Sequence, residues 1–574
     1  MITSSRRQFV IRLASLATVA SSGMALSACM GDGGEPPVFS YGVCSGDPLA
    51  DRVMLWTHAQ VPNSSEDVPL TYEVATDASF ATLVSSGSTL ASAASGHTAK
   101  ADATGLAAGK DYFFRFRSGD TVSPVGRTRT LPAAGATSVS LAVFSCSNYP
   151  AGYFNVYAEA AKSGAQFAVH LGDFIYEYGA DGYASTDAKA LGRVVEPANE
   201  CLSLADYRKR YAQYRSDPDS KVFSASLPLI AVWDDHEVAN DTHKDGAENH
   251  TATTEGSFAA RRAAAIQAWH EWMPVRAPDA SNLMKIYRSF DFGGLAALHM
   301  LDTRVIGRDK QVEFAELLNP ATAATAQATL ASTSRTIMGS TQLQWLQGQL
   351  AASKATWQVL GQQVLMARME FPVSILTHLN PDNTSPDALA AGQKAITDYL
   401  TAKGTAAQAP ALLTDAQKAL LDTKLNPKLG YNLDAWDGYP VARETLLGTA
   451  RALNKNLVVL AGDTHNAWAS DLQDASGNAV GVEFATSSVT SPGFETVLPN
   501  ENPAALAAGL TELIGPLVYA DTARRGYLVV TATPAECRAD WVYVSTVTSR
   551  TYTTVADKAL RVQPGVGNRK VVAV

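Results

Sequence analysis

Apolar and polar positions fall into two successive regimes along the chain. From Phe39 to about Thr130 they alternate in short runs, among them Val53-Met54-Leu55-Trp56-Thr57, Leu70-Thr71-Tyr72-Glu73-Val74-Ala75 and Tyr112-Phe113-Phe114-Arg115-Phe116-Arg117. Alternation at period 2 puts one side of a run inside and the other outside, so strands are predicted. Gly and Ser clusters separate them, which fits a small immunoglobulin- or fibronectin-like β-sandwich over residues 38–132. Pro132-Ala133-Ala134-Gly135 is the predicted linker.

Beyond Thr137 the runs become mostly apolar on both faces, at 140–144, 167–171, 229–233, 295–301, 357–360 and 457–460. Such strands are buried on both faces, and helix-period segments lie between them. Residues 133–574 therefore read as an α/β domain. Ala-rich helices are predicted near 318–353 and 385–425, and further strands at 526–532 and 541–547.

The first 37 residues follow neither pattern. Ser5-Arg6-Arg7-Gln8-Phe9-Val10 precedes an apolar, small-residue stretch over 13–28 with no acidic residue. A charged start, an apolar middle and a small-residue end describe a signal peptide, residues 1–28. The pair Arg6-Arg7 points to the twin-arginine translocase, which exports folded proteins. Leu26-Ser27-Ala28-Cys29 has the form of a lipoprotein cleavage box, making Cys29 the expected lipid anchor to a membrane and 29–37 a flexible tether. Periplasmic or cell-surface location follows.

Composition narrows the functions. The 574 residues are 46% hydrophobic and 18% charged, with a net charge of −9 and no dense Lys/Arg run, so a nucleic-acid-binding surface is not expected. Five cysteines are too few for a disulfide scaffold of this length; whether Cys44, Cys201 and Cys537 include a bridge stays open. A monomer is expected.

Candidate chemistry gathers where strands end. These ends read Phe144-Ser145-Cys146-Ser147-Asn148, then His170-Leu171-Gly172-Asp173-Phe174-Ile175-Tyr176, then Val232-Trp233-Asp234-Asp235-His236-Glu237 with Asn240 and Asp241 beyond, and Leu460-Ala461-Gly462-Asp463-Thr464-His465-Asn466. Ligands of α/β sheets bind beyond the carboxyl ends of strands. Singly, each segment reads as a turn or a buried thiol; together they place carboxylates, a thiol and imidazoles on one rim. A rim of that kind calls for a cation to offset the repulsion.

Gly172-Asp173, a strand-ending Asp-His-Glu and Gly462-Asp463-Thr464-His465 resemble the signature of calcineurin-like metallophosphatases. Cys146, Asp235 and Asp463 depart from it in the way the alkaline phosphatase D (PhoD-like) subgroup does. Gly42-Val43-Cys44-Ser45-Gly46-Asp47-Pro48, Trp436-Asp437-Gly438-Tyr439 and Arg525-Gly526-Tyr527 resemble the same subgroup. The resemblance implies a four-layered α/β/β/α sandwich and the cofactors iron(III) and calcium. It implies that Asp173 bridges two ions, that Cys146, Tyr176 and His465 join it around iron, and that Asp235 and Asp463 lie on the calcium side, with Asn240 and Gln363 as further candidates. Thiolate and phenolate suit iron(III), and carboxylate oxygens suit calcium. The expected reaction is hydrolysis of a phosphate-ester substrate by metal-activated hydroxide, with no covalent phosphoenzyme. His236 is the expected proton donor to the leaving group, or else a structural partner of Asp235; Asn148, Asp437 and Arg443 are candidates for touching substrate. Two other readings remain open at this point. One keeps the site but takes phosphodiesters, of lipids or cell-wall polymers. The other is a non-enzymatic surface-binding lipoprotein.

Overall fold

The computed structural model describes residues 35–378 and 386–574. The leader with Arg6 and Arg7, the cleavage box with Cys29 and the start of the tether lie outside the described residues. Among the described residues no helix is long and apolar enough to cross a membrane.

The fold is mixed α/β and is built on two large sheets. The first has ten strands, and its centre is the parallel trio Val139–Phe144, Phe167–His170 and Leu229–Ala231. Arg525–Ala532, Cys537–Val544, Thr554–Val562 and Val572–Ala573 extend it antiparallel on one side. The second has seven strands around the parallel set Ala296–Met300, Trp357–Gly361, Leu457–Ala461 and Ala479–Ala485.

The apolar runs split at period 2 between two cores, which is why they had to be apolar throughout. In Leu457–Ala461, Val458 and Leu460 pack in one cluster with Val143, Ile230 and Leu528 of the first sheet. Leu457, Val459 and Ala461 pack in another with Leu346 and Leu350 of the Gly339–Ala352 helix and Leu446 and Leu447 of Pro440–Ala452. Each such fully buried aliphatic side chain contributes about 1.5–3 kcal/mol relative to exposure. The predicted Ala-rich helices are present as Gly339–Ala352 and Pro386–Gln408, with shorter ones beside them.

The N-terminal β segment is less separate than its pattern implies. Val68–Ala75, Leu83–Ala91 and Asp111–Ser118, with two short strands, form a sheet of their own. Val43–Gly46, Arg52–His58 and Thr98–Thr104 instead continue the first large sheet, through a parallel pairing of Gly46 with Leu229. Gly46 is required there, since a Cβ would lie 2.4 Å from Pro274 O and 2.5 Å from Leu229 O. Asp47 fastens the same junction, accepting from Arg288 Nη2 at 2.6 Å and from the Arg276 N–H at 2.7 Å. Cys44, Cys146, Cys201 and Cys537 are all free and buried, so the described cysteines form no bridge.

Candidate active site

The four predicted strand ends meet. Three leave the first sheet, at Cys146, Asp173 and Asp234–Glu237; one leaves the second, at Asp463 and His465. Hydrogen bonds from Cys146 N to Gly172 O (3.2 Å) and from Ser147 N to Asp173 O (2.9 Å) hold the first two loops side by side. Gly172 (φ 116°) lets the third approach, for a Cβ there would sit 2.4 Å from Asp234 N. Gly462 brings in the second sheet; its Cβ would lie 2.5 Å from Ser145 Cβ. Glu237 then ties loops together, its carboxylate accepting from the backbone N–H of Asp173 at 2.9 Å and of Asp234 at 2.7 Å.

Four side chains of the cluster stand on backbone in the left-handed region: Cys146 (φ 60°), Asp173 (56°), Asp463 (63°) and His465 (62°). Non-glycine residues adopt this conformation at a cost of order 1–3 kcal/mol each, held by the surrounding structure. All four bends aim polar atoms at one place.

Ligand atoms of Cys146, Asp173 and His465 lie within 4.8 Å of one another. Tyr176 completes this group, its hydroxyl donating to Asp173 Oδ2 at 2.9 Å, accepting from Ser491 Oγ at 2.7 Å and lying 3.2 Å from His465 Nε2. His465 Nδ1 is 2.8 Å from Pro492 O, which places the ring proton on Nδ1 and leaves Nε2 free to accept. Two more groups of equal compactness adjoin, Asp173 with Asp235 and His236, and Asp234 with Asp235 and Asp463. Asp173 and Asp235 are the links between them.

These donors fit the expected ions. Burial first, and then the Asp173 charge, push the Cys146 thiol and the Tyr176 phenol well above their ordinary ranges. Burial raises Asp173 to about 6 and Asp463 to about 7, against the opposing charges of His236 and Arg304 respectively. The thiol and the phenol so placed give up their protons only to a nearby cation, and the two carboxyls do so more readily beside one. Asp235 Oδ1 is buried with no hydrogen-bond partner, as an oxygen reserved for such an ion is.

His236 packs against the Tyr176 ring at 4.2 Å, and its Nδ1 is 2.7 Å from Glu177 Oε2. Burial alone would lower the imidazole; Asp235, Glu177 and Asp173 outweigh it and hold the ring protonated well above its usual range. Asn148 is buried nearby, its amide donating to Tyr183 O at 3.3 Å while Oδ1 has no partner.

Four of the sequence candidates do not join the cluster. The Gln363 amide is fully engaged: Oε1 accepts from Thr303 N and Oγ1, and Nε2 donates to Trp233 O and Leu301 O. It supports the loops instead of offering an oxygen. Asn240 turns its amide to Glu248 at 2.6 Å. Arg443 donates to Met366 O and Glu444, and Asp437 accepts from Met369 N at 2.8 Å; both brace a loop under the Pro440–Ala452 helix.

One central residue went unseen. Arg304 is completely buried and donates to Asp234 at 2.5 Å, Asp434 at 2.7 Å and Asp463 at 2.8 Å, with Asp235 at 3.7 Å. It follows the Ala296–Met300 strand in Asp302-Thr303-Arg304, a fifth polar strand end that the sequence displays as openly as the other four. Asp434 and Tyr183 were likewise missed, and Asp234, though it stands in the third strand end, was given no role.

The chain matches the family model "PhoD-like phosphatase" over residues 141–541, and the model of that family's N-terminal domain over residues 25–132. It belongs to the PhoD-like phosphatase family. Alkaline phosphatase D of Bacillus subtilis (strain 168) is 34% identical over 527 residues, 89% of this chain and 78% of that protein. A solved "Structure of PhoD" is similar with a TM-score of 0.74 at 30% identity, covering 95% of this chain and 93% of the other. This PhoD-like chain is accordingly a phosphoric ester hydrolase, and the cluster is its candidate catalytic centre.

Proposed function

We propose that the chain is an exported, metal-dependent phosphatase or phosphodiesterase of the alkaline phosphatase D type. The observation that carries this is the meeting of Cys146, Asp173, Tyr176 and His465 around one point, on backbone bent to bring them there. In this reading Cys146, Asp173, Tyr176 and His465 would hold iron(III), and Asp173, Asp235 and Asp463, with Asp234, would hold calcium. When bound, such ions supply positive charge to the phosphoryl oxygens and acidify a water.

The chain's own residues do the rest. Arg304 fixes the directions of Asp234 and Asp463. Water attacks phosphorus in line, one of its hydrogens staying on the new P–OH and the other passing to solvent, and the bond to the leaving oxygen breaks as that oxygen takes a proton from His236 Nε2, which solvent then returns. Glu177, bonded to Nδ1, orients the ring and stabilises its charge before the transfer. Asn148 Oδ1, buried and unpartnered, is placed to receive a hydroxyl of the substrate.

The remaining parts of the reading extend beyond the site. The two large sheets, with helices over their outer faces, are read as a four-layered α/β/β/α sandwich, and the N-terminal segment as an immunoglobulin-like sandwich joined to it. Arg6 and Arg7 are read as the mark for twin-arginine export and Cys29 as the lipid anchor of a monomeric enzyme facing the periplasm or the cell surface. Elemental analysis of the purified protein, together with turnover of nitrophenyl monoester and bis-nitrophenyl diester on the same sample, tests the core of this. Iron and calcium with ester hydrolysis are expected. Full activity with zinc as the sole transition metal would overturn the iron assignment.

A further inference from the structure

The loop after the Phe167–His170 strand carries three tyrosines that rise from the cluster to the surface. Tyr176 is 1% exposed, Tyr178 is half-buried and Tyr183 is 37% exposed. The rings form a connected set: Tyr176 to Tyr183 at 6.2 Å and 23° between planes, Tyr178 to Tyr183 at 6.0 Å, and Tyr178 to His236 at 5.3 Å. His236, the proposed donor to the leaving group, thus sits between Tyr176 and Tyr178.

Tyr183 is outermost, and it is held still. Its hydroxyl is 3.2 Å from His465 Nδ1 and 3.2 Å from Pro492 O, and its carbonyl accepts from the Asn148 amide at 3.3 Å. The loop can fold back this far only with glycine at 182, where a Cβ would lie 2.6 Å from Tyr178 Cβ. An exposed aromatic ring fixed at both ends loses little freedom when a ligand stacks on it. Tyr183 lies 6.0 Å from the His465 ring and still keeps 37% of its surface exposed beside the cluster.

We propose that the Tyr183 ring is the platform on which a flat leaving group stacks, which makes Tyr183 a specificity-determining residue for aryl and nucleoside phosphate esters. The proposal rests on the hydrolase reading above. Every base or aryl ring has a π-face, so one platform serves both, and glycerol or another alkyl alcohol gains nothing from it. The phosphoryl group occupies the cluster, the leaving oxygen faces His236, and the ring attached to that oxygen lies toward solvent against Tyr183.

Three substrates separate the effects: nitrophenyl phosphate, adenosine monophosphate and glycerol phosphate. Adenosine and glycerol leave as alkoxides of similar acidity, so their comparison isolates stacking from leaving-group chemistry. In the full-length metal-loaded enzyme, Tyr183→Ala should lower kcat/KM for adenosine monophosphate relative to glycerol phosphate about tenfold, mainly through KM. Tyr183→Phe, which keeps the ring and loses the bonds to His465 and Pro492, should retain the wild-type ratio. An unchanged ratio in Tyr183→Ala, or a ratio lost equally in Tyr183→Phe, overturns the platform. If Tyr183→Ala loses activity equally on all three substrates and also changes metal content, the residue acts by positioning His465 and the platform is again refused. Wild-type protein that carries its metals and turns over neither these three nor bis-nitrophenyl phosphate would instead refute the hydrolase reading.

Discussion

The two halves of the cluster balance their charge by different means. Around Cys146, Tyr176 and His465 the donors are mixed, no arginine bonds to these side chains among the described residues, and burial keeps the thiol and phenol protonated unless a cation displaces the protons. Around Asp234, Asp235 and Asp463 the donors are all carboxylates, and Arg304 is built in among them. One half is neutralised by protons alone, the other in part by a guanidinium that cannot lose its charge, with burial raising Asp234 and Asp463 beside it. The first half is thus suited to an ion of high charge, and the second keeps part of its neutralisation whatever it binds.

The largest test of this division strikes the residue both halves share. Asp173→Ala should lower turnover by about 10⁴-fold, about 5 kcal/mol of transition-state stabilisation. Elemental analysis should show both ions lost. Near-normal rates with normal metal content would mean that no single carboxylate joins the halves.

Next is the arginine. Arg304→Met leaves Asp234 and Asp463 without their buried counter-charge, while Asp434 keeps Arg308, and should cost about 3–5 kcal/mol of stability, read by denaturant unfolding. Arg304→Lys should recover part of that, because one ammonium cannot serve the three directions of the guanidinium fork. Unaltered stability in Arg304→Met would show that the carboxylate half does not depend on it.

Cys146→Ser sharpens the contrast in the other half. On the proposed assignment of iron to this half and calcium to the other, iron affinity should fall about tenfold, roughly 1.4 kcal/mol, while calcium content holds. A thiolate and a phenolate on iron(III) give visible charge-transfer absorption, so the purified protein should be tinted and the band should change in both Cys146→Ser and Tyr176→Phe. A colourless wild type, or equal loss of both ions in Cys146→Ser, would merge the halves again.

The smallest effect lies outside the cluster and sets its baseline. Burial lowers His270 to about 3 and His58 to about 4, so both are neutral in the folded protein. In the unfolded chain they take up protons near pH 6.5. Stability is therefore complete above that pH and is lost as pH falls toward the folded values, by about 1 kcal/mol for each histidine between pH 6.5 and 5.5. Unfolding at the two pH values in His270→Gln should show a shallower slope than wild type; an identical slope would remove His270 from the account.

Much of this was visible in the one-dimensional pattern, for a definite reason. Strands such as Trp357–Gly361 and Leu457–Ala461 are buried on both faces, so nearly every position is apolar, Gln358 excepted, and the run is unmistakable. The ends of such runs then stand out as polar, which is how Cys146, Asp173, Asp235, Asp463 and His465 declared themselves. Arg304 stood at a similar strand end, but an arginine among apolar runs reads as a solvated residue until its carboxylates are seen arriving from 234, 434 and 463. Gln363 misled for the converse reason. An amide beside the rim has the right atoms for a ligand, and only the positions of Thr303, Trp233 and Leu301 show that all are taken. The N-terminal boundary was legible in composition but not in topology, because a pairing between Gly46 and Leu229 leaves no local trace.

That pairing has a consequence in time. Val43–Gly46 finds its partner Arg52–His58 within a few residues, but its other edge waits for Leu229. Leu229 leaves the ribosome roughly 180 residues later, so at about 5–20 residues per second the edge stays open for roughly 10–40 seconds of synthesis. During that interval the nascent chain displays an unpaired strand, and the same strand later closes the sheet from which Asp234, Asp235 and His236 project.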